Sequence, residues 1–458
     1  MLVSAPGVPR VNPLKELSFD EKSAALIVGL GKTGYSIARF MGSQGIRFAV
    51  TDTREAPPFI NELREAFPDA AVFLGGFQKA SFEAATHLIV SPGISLNEPL
   101  IQSAERRGIP VLGDLDLFAH MAQASVIAIT GANGKSTVTT WVGLMAEADG
   151  RKTHVGGNLG TPMLDLLEDG VDLYVLELSS FQLESSHILK PIAATVLNIS
   201  PDHLDRYADL QAYADAKRRI FNGHGLMVLN RDDPMVVDML QPDRKTVWFS
   251  LESDCCDYGL KVIEGEEWLV CRGDPVMARS GIRLHGRHNL ANALAALALG
   301  DAVGLSRRAM VAVLKSFEGL DHRAQWVSDH GGISWINDSK ATNVGACIAA
   351  LEGMDQPVVL IAGGDGKGAD FSVLRSVVKE KVKALVLMGL DAPRLQSALE
   401  DLVETVRVGN MCEAVKAASD LAESGDVVLL APACASLDQY KDYQERGRIF
   451  SEEVRRLV

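Results

Sequence analysis

Residues Thr130–Thr137 read TGANGKST, with the apolar run Val126–Ile129 before them and the helix-forming VTTWVGLMAEA after them. A strand, a tight turn and a helix start in that order aim backbone N–H groups and a helix N-terminus at one spot, which makes an anion site. Gly131 and Gly134 let the backbone approach phosphate oxygens, with Asn133 in the turn between them. Lys135 adds a point charge, and Ser136 and Thr137 add hydroxyls, the first placed to ligate Mg²⁺. The longer GxxxxGK[ST] pattern would need glycine where Ile129 stands, so the match is to a shorter variant that keeps the GK[ST] core. ATP with Mg²⁺ is the ligand this loop predicts.

Short β-branched or leucine-rich runs, each followed by a Gly/Asn/Asp turn and an Ala/Leu/Glu-rich stretch, recur along the 458 residues. This is the rhythm of parallel strands and crossover helices, an α/β architecture. Strands are expected at Ala24–Val28, His87–Val90, Val126–Ile129, Leu173–Leu178, Ala194–Asn198, Val358–Ala362, Ala384–Met388 and Val427–Leu430. The length suits about three domains. Breaks at Pro110–Asp116 and Gly319–Arg323 predict an irregular extension at 1–22 and α/β units at 23–113, 114–318 and 319–458. A net charge of -14 without a basic run argues against nucleic acid as a partner. Six scattered cysteines without a CxxC pair fit neither a zinc nor a redox site, and no apolar run is long enough to span a bilayer. A cytoplasmic monomer without membrane insertion is expected.

Three further features fall where open α/β sheets place ligands, at the carboxyl ends of strands. Glu177 ends LYVLEL, where an acid can reach a phosphate-bound metal; the alternative is that it caps the next helix with Ser179 and Ser180. His203 follows the strand AATVLNIS in PDHLDRY, and Lys217 follows within YADAKRRIF. Near the N-terminus GLGKTG, with Gly29, Gly31 and Gly34, follows a strand, and Asp52 ends the next one. That spacing suits a dinucleotide, although such glycines cradle any diphosphate. Asn230–Asp233, NRDD, is similar to a guanine-reading turn and leaves a nucleotide switch as another reading.

Taken in order, TGANGKST, ELSSFQLE, NISPDHLDRY, GRHNLAN, DHRAQ, NDSKATN, GGDGKGADF and APACASLDQY closely resemble the Mur ligases of peptidoglycan synthesis, over nearly the whole chain from about Ala24. The resemblance implies an N-terminal Rossmann-like unit for a UDP moiety, a central P-loop ATPase, and a C-terminal Rossmann-like unit for an incoming amino acid. It is strongest to the branch that adds D-glutamate to UDP-N-acetylmuramoyl-L-alanine through an acyl phosphate. It implies UDP-sugar contacts at Lys32, Thr33, Asp52, Thr53, Arg54 and Ser91, the last in the SPGI turn Ser91–Ile94, with Asn158 and Ser179 at the muramoyl-alanine end. It implies ATP contacts at Asn289 and Arg323 besides the loop, and D-glutamate contacts at Lys340, Thr342, Lys367, Ser436 and Tyr443. Two Mg²⁺ ions are implied, one on Ser136 and Glu177, the other on His203 and a carbamylated Lys217. Lys135, Glu177, His203, Lys217 and Arg323 are then the catalytic set. A folate-tail ligase shares the loop, but such enzymes begin almost at the ATPase unit, whereas more than a hundred residues precede it here.

Overall fold

The computed structural model describes residues 17, 19–20, 22–186, 188–202, 206–253, 256–284, 286–354 and 356–457. Three sheets follow one another along the chain. The first holds β1 (Ala24–Val28), β2 (Arg47–Thr51), β3 (Ala71–Phe73), β4 (His87–Val90) and β5 (Val111–Leu112), all parallel in the order β3-β2-β1-β4-β5.

The second sheet contains β6 (Ser125–Thr130), β7 (Thr153–Gly157), β8 (Leu173–Glu177), β9 (Ala193–Val196), β10 (Leu226–Asn230), β11 (Thr246–Phe249), β12 (Tyr258–Ile263), β13 (Glu266–Cys271) and β14 (Asp274–Ala278), in the order β14-β13-β12-β11-β10-β9-β6-β8-β7. The third contains β15 (Gln325–His330), β16 (Ile333–Asn337), β17 (Val358–Gly363), β18 (Val382–Met388), β19 (Glu404–Arg407) and β20 (Val427–Leu430), in the order β15-β16-β20-β17-β18-β19.

The parallel α/β plan read from the sequence holds, with hairpins added at two edges. β12, β13 and β14 pair antiparallel, as do β15 and β16. Their connections are Glu264-Gly265, Arg272-Gly273 and Gly331-Gly332, and all six residues have positive φ. A two-residue turn with both φ positive matches the twist of adjacent antiparallel strands and leaves no room for a crossover helix. The expected Ala194–Asn198 strand stops at Val196, because Asn198 leaves the sheet to brace the phosphate loop.

Apolar burial joins the first two sheets and sets the third apart. Ile37, Phe40 and Met41 of the helix Lys32–Ser43 belong to one continuous cluster with Leu115 and Phe118 of the linker helix Asp114–Met121 and with Met163, Leu164 and Leu176 of the central unit. The linker is also held by polar contacts, Gln182 donating to Asp114 at 3.2 Å and Ser186 to Asp116 at 3.0 Å. The third sheet has separate clusters on its two faces, one around Leu360, Leu385 and Leu429 and the other around Trp335, Ile361 and Val428. Covered on both sides, β17 is buried at every position, which is why Val358–Gly363 reads as an unbroken apolar run.

The GLGKTG glycines have three separate jobs. Gly29 turns the chain at φ 95°, a left-handed value that disfavours a side chain. A Cβ on Gly34 would lie 1.9 Å from the carbonyl oxygen of Gly29, so this glycine lets the helix pack onto the strand end. A Cβ on Gly31 would meet nothing within 4 Å, leaving the turn open to a ligand. Gly34→Ala should therefore destabilise the first unit by about 1–3 kcal/mol through forced backbone displacement, while Gly31→Ala should stay within about 0.5 kcal/mol. Urea unfolding of the two variants would check this; equal midpoints would contradict it.

Candidate active site

A cleft of about 650 Å³ lies where the second and third units meet. Its floor is the loop between β6 and the helix Lys135–Ala148. Gly134 begins that helix at φ 82°, with the Asn292 side chain packed so closely that a Cβ would lie 2.3 Å from its oxygen. Asn198 braces the loop from the end of β9: its side chain accepts from the Asn133 amide at 2.8 Å and donates to the Asn133 carbonyl at 3.2 Å. Gly131 packs against Leu197 and Asn198, which keeps the turn compressed. Lys135 curls over the loop, donating to the carbonyls of Gly131 and Ala132 at 2.9 and 2.8 Å. Thr137 lies buried one position beyond Ser136.

Glu177 ends β8 and is almost wholly enclosed. Its carboxylate accepts from the Ser136 hydroxyl and, at 2.6 Å, from the Asn158 amide. Burial pushes this carboxyl up, but Lys135, Ser136, Arg323 and Asn158 outweigh it and hold it below the ordinary glutamate range. The helix-capping alternative falls away, because Ser179 caps the helix Ser180–Ser185 in a reciprocal pair with Gln182. Ionised, enclosed and beside a hydroxyl, Glu177 presents the hard oxygen donors that Mg²⁺ prefers.

Lys217, buried in the helix Leu210–Arg218, donates to the Gly131 carbonyl at 2.9 Å and lies 4.6 Å from the centre of the Tyr213 ring. Burial, then the charge of Lys135, lowers its pKa well below that of an ordinary lysine, against the pull of Asp202 and Glu177. His203 lies outside the described residues.

The third unit closes over this floor. Arg323 donates to the Ser136 hydroxyl at 2.5 Å. Lys367, held at φ 48°, reaches Asp202 at 3.5 Å, and Asn343 reaches Asp202 and Asn133 at 3.3 and 3.4 Å. Lys340 lies 4.1 Å from the centre of the Tyr443 ring, and burial, aided by Arg323, pushes its pKa down to about 8. Thr342 and Ser436 line the same cleft, as do Asn158, Ser179 and Asn289. One cleft thus gathers the expected ATP, muramoyl-alanine and D-glutamate residues, apart from Gly131, which is not among its lining residues.

The remaining candidates sit at the first sheet. The Asp52 carboxylate accepts from the amides of Leu30 and Arg54 at 2.7 and 2.9 Å and from both ends of the Arg54 guanidinium. Ser91 donates to the Gly29 carbonyl at 2.8 Å. Thr33 lies in the first turn of the helix Lys32–Ser43, and Thr53 and Arg54 face solvent beyond β2. Lys32 donates to the Gly160 carbonyl at 2.6 Å, only two residues beyond Asn158, so one short loop connects the glycine turn with Glu177.

Sequence reasoning passed over Asp202, Asn198 and Arg446. Asp202 was legible as an acid at a strand's carboxyl end, directly before His203. Asn198 carried no such mark. Arg446, buried in the C-terminal helix, donates to Ser339 and to the Cys434 carbonyl, tying the NDSK loop to the CASL loop; a cation committed to carbonyls has no sequence signal. The NRDD turn is used internally: Asp233 accepts from the Ile199 amide at 2.7 Å and caps the helix Pro234–Val237, and Asn230 donates to the Leu197 carbonyl. It is a brace for the β9 loop, which removes the basis of the nucleotide-switch reading.

Sequence models of known families match in three stretches: a Mur ligase MurD-like N-terminal domain at residues 23–113, a Mur ligase middle domain at 129–300, and a Mur ligase glutamate ligase domain at 322–434. The chain is 60% identical over 443 residues to the UDP-N-acetylmuramoylalanine--D-glutamate ligase of Methylococcus capsulatus, covering 96% of each chain. It is 52% identical over 440 residues to the enzyme of that name from Nitrosococcus oceani, covering 95% of this chain and 97% of the relative. Among solved structures the fold is similar to a pseudomurein peptide ligase type C from Methanothermus fervidus (TM-score 0.63, 17% identity, 95% and 100% covered). It is likewise similar to a UDP-N-acetylmuramate-alanine ligase from Thermotoga maritima (TM-score 0.62, 19% identity, 95% and 100% covered). With family models across most of its length and relatives this close over nearly all of it, the chain belongs to the Mur ligase family.

Proposed function

We propose that this chain joins the amine of D-glutamate to the alanyl carboxylate of UDP-N-acetylmuramoyl-L-alanine, converting ATP to ADP and phosphate. The observation that carries the reading is the single cleft in which Lys135 and Ser136 of the phosphate loop, Asn158 and Ser179 on the acceptor side, and Lys340 and Lys367 of the third unit converge. The names of the two close relatives supply the substrates. We also propose the division into units at 23–113, 114–318 and 319–458. No described helix is long and apolar enough to cross a membrane, and we further propose a monomer working in the cytoplasm.

In the first step an oxygen of the alanyl carboxylate attacks the γ-phosphorus, the bond to the β-phosphate oxygen breaks, and ADP leaves with that electron pair. Two anions must meet, so cations have to offset their repulsion; Lys135 and Arg323 stand at the loop for that purpose. In the second step the D-glutamate amine attacks the acyl carbon, gives up a proton, and the carbon–oxygen bond to phosphate breaks to leave the amide. Lys340 and Lys367 hold the D-glutamate carboxylates, with Thr342, Ser436 and Tyr443 around them. At the other end Lys32, Thr33, Asp52, Thr53, Arg54 and Ser91 receive the UDP portion, and the loop at 158–160 leads from there to the phosphate loop. Asn289 supports the nucleotide end.

Ser136 and Glu177 would hold one Mg²⁺, and His203 with a carbamate on Lys217 the other; bound there, the ions would neutralise charge on the transferring phosphoryl group. Burial disfavours the charged form of the Lys217 amine and so favours the lone pair that adds to CO₂. Intact-mass measurement at high bicarbonate should find the protein heavier by one CO₂, with the increment lost in Lys217→Ala; an unmodified wild-type mass would remove the carbamate from the scheme.

ADP release with UDP-N-acetylmuramoyl-L-alanine should depend on D-glutamate within a panel of D- and L-amino acids, and Lys135→Ala should lower kcat by roughly 100-fold or more. Equal turnover across the panel would refute the substrate assignment. Lys340→Ala should raise the KM for D-glutamate far more than that for ATP. Lys340 binds a carboxylate only while protonated, and its pKa is about 8. kcat/KM for D-glutamate should therefore fall as pH rises through about 8, with that limb missing in Lys340→Ala.

A further inference from the structure

Arg206 stands four residues after Asp202, yet its guanidinium points into the first unit. It donates to the carbonyls of Pro92 and Ile94 at 3.0 and 3.1 Å, and so holds both sides of the SPGI turn. It also pairs with Glu184 at 3.2 Å and lies 4.2 Å from the centre of the Phe181 ring, both on the helix that Ser179 caps. Its side chain is only 13% exposed. The SPGI turn in its own right touches the glycine turn, since Ser91 donates to the Gly29 carbonyl and Ile94 fills the space beside Gly29 where a Cβ would stand. One largely buried cation thereby connects three things: the turn that would take the diphosphate, the helix start beside the acceptor, and the stretch of chain that follows Asp202.

A guanidinium suits this task because its planar fork satisfies two carbonyls and a carboxylate at once in a fixed geometry. Beside the shared apolar cluster, the side-chain hydrogen bonds of Lys32 to Gly160 and of Ser36 and Arg39 to Asp165 attach the first unit to other segments, the loop after β7 and the turn Met163–Leu166. Without Arg206 the β9 loop would remain braced by Asn198 and Asp233 but would lose this polar tie to the SPGI turn of the first unit.

We infer that Arg206 is a positioning residue that sets the distance between the bound UDP moiety and the phosphoryl-transfer site, so that the acceptor carboxylate arrives in line with the γ-phosphate. The inference rests on the ligase reading above. It separates two quantities that a merely structural arginine would not separate: UDP affinity, which belongs to the first unit alone, and the rate at which a UDP-tethered carboxylate reacts. A displacement of about 1 Å can cost on the order of 100-fold in rate.

The test uses the full-length protein with Arg206→Gln and Arg206→Lys beside wild type. The measurements are UDP binding, the KM for each of the three substrates, kcat and thermal unfolding. Arg206→Gln should lower kcat roughly 10- to 100-fold and raise the KM for UDP-N-acetylmuramoyl-L-alanine several-fold. Its affinity for free UDP and its KM for ATP and D-glutamate should stay within about twofold of wild type. Arg206→Lys should be intermediate, because an ammonium can reach one carbonyl but cannot fork between two. Wild-type kinetics in either variant would overturn the inference, and so would a loss spread equally over UDP binding and all three KM values. If Arg206→Gln does not fold, Arg206→Lys decides by the same criteria. Wild-type turnover measured in parallel separates failure of the ligase reading from failure of this one.

Discussion

The contact between Glu177 and Ser136 is the point to which the rest of the molecule is fastened. A buried carboxylate at a strand end is costly unless its lone pairs are answered, and here the answers come from separate parts of the chain. The phosphate loop supplies the hydroxyl, the loop after β7 supplies Asn158, and Lys135 and Arg323 supply charge. Glu177 is thus kept ionised by the groups that the proposed chemistry needs beside it. The hydroxyl of Ser136 in turn accepts from Arg323, so the third unit is joined to the second through the same short chain of polar contacts.

The two joints between units differ in kind. A continuous apolar cluster welds the first unit to the second, and separating them would expose that surface to water at about 25 cal/mol for each Å². The third unit has its own cores and meets the second at the cleft through side chains such as Arg323, Lys367 and Asn343. Polar contacts of that sort exchange readily with water and ligands, whereas a shared core does not. That difference suits the proposed function, in which the first two units would hold the tethered acceptor and the third would open to admit a small amino acid and close over it. Gly319, at φ 110°, lies where such a hinge would bend.

Much of the site was legible because it obeys local rules. TGANGKST needs only a strand before it and a helix after it, and GLGKTG needs its glycines at three spacings whose separate reasons the structure makes plain. Asp202 was legible in principle as an acid at a strand end, but nothing near it in sequence showed that Lys367, 165 residues away, would come to meet it. Asn198, Asp233 and Arg446 are bracing residues whose partners are backbone amides and carbonyls, and backbone carries no side-chain signature. The hairpin turns Glu264-Gly265, Arg272-Gly273 and Gly331-Gly332 were written in the chain as residue-glycine pairs between apolar runs, yet they were outweighed by the dominant rhythm of crossover helices.

Local order alone determined that this chain makes parallel α/β units, that one of them carries a glycine-rich loop of the phosphate-binding type, and that its motifs run in the order of the Mur ligases, because strand, turn and helix propensities act over a few residues. Which groups share a cleft was decided only by tertiary structure. The pKa of Lys217 falls well below that of an ordinary lysine, and that of Lys340 falls to about 8, because folding takes each amine out of water and sets other cations beside it. Burial and neighbouring charge are properties of three-dimensional packing, and no stretch of sequence holds them by itself.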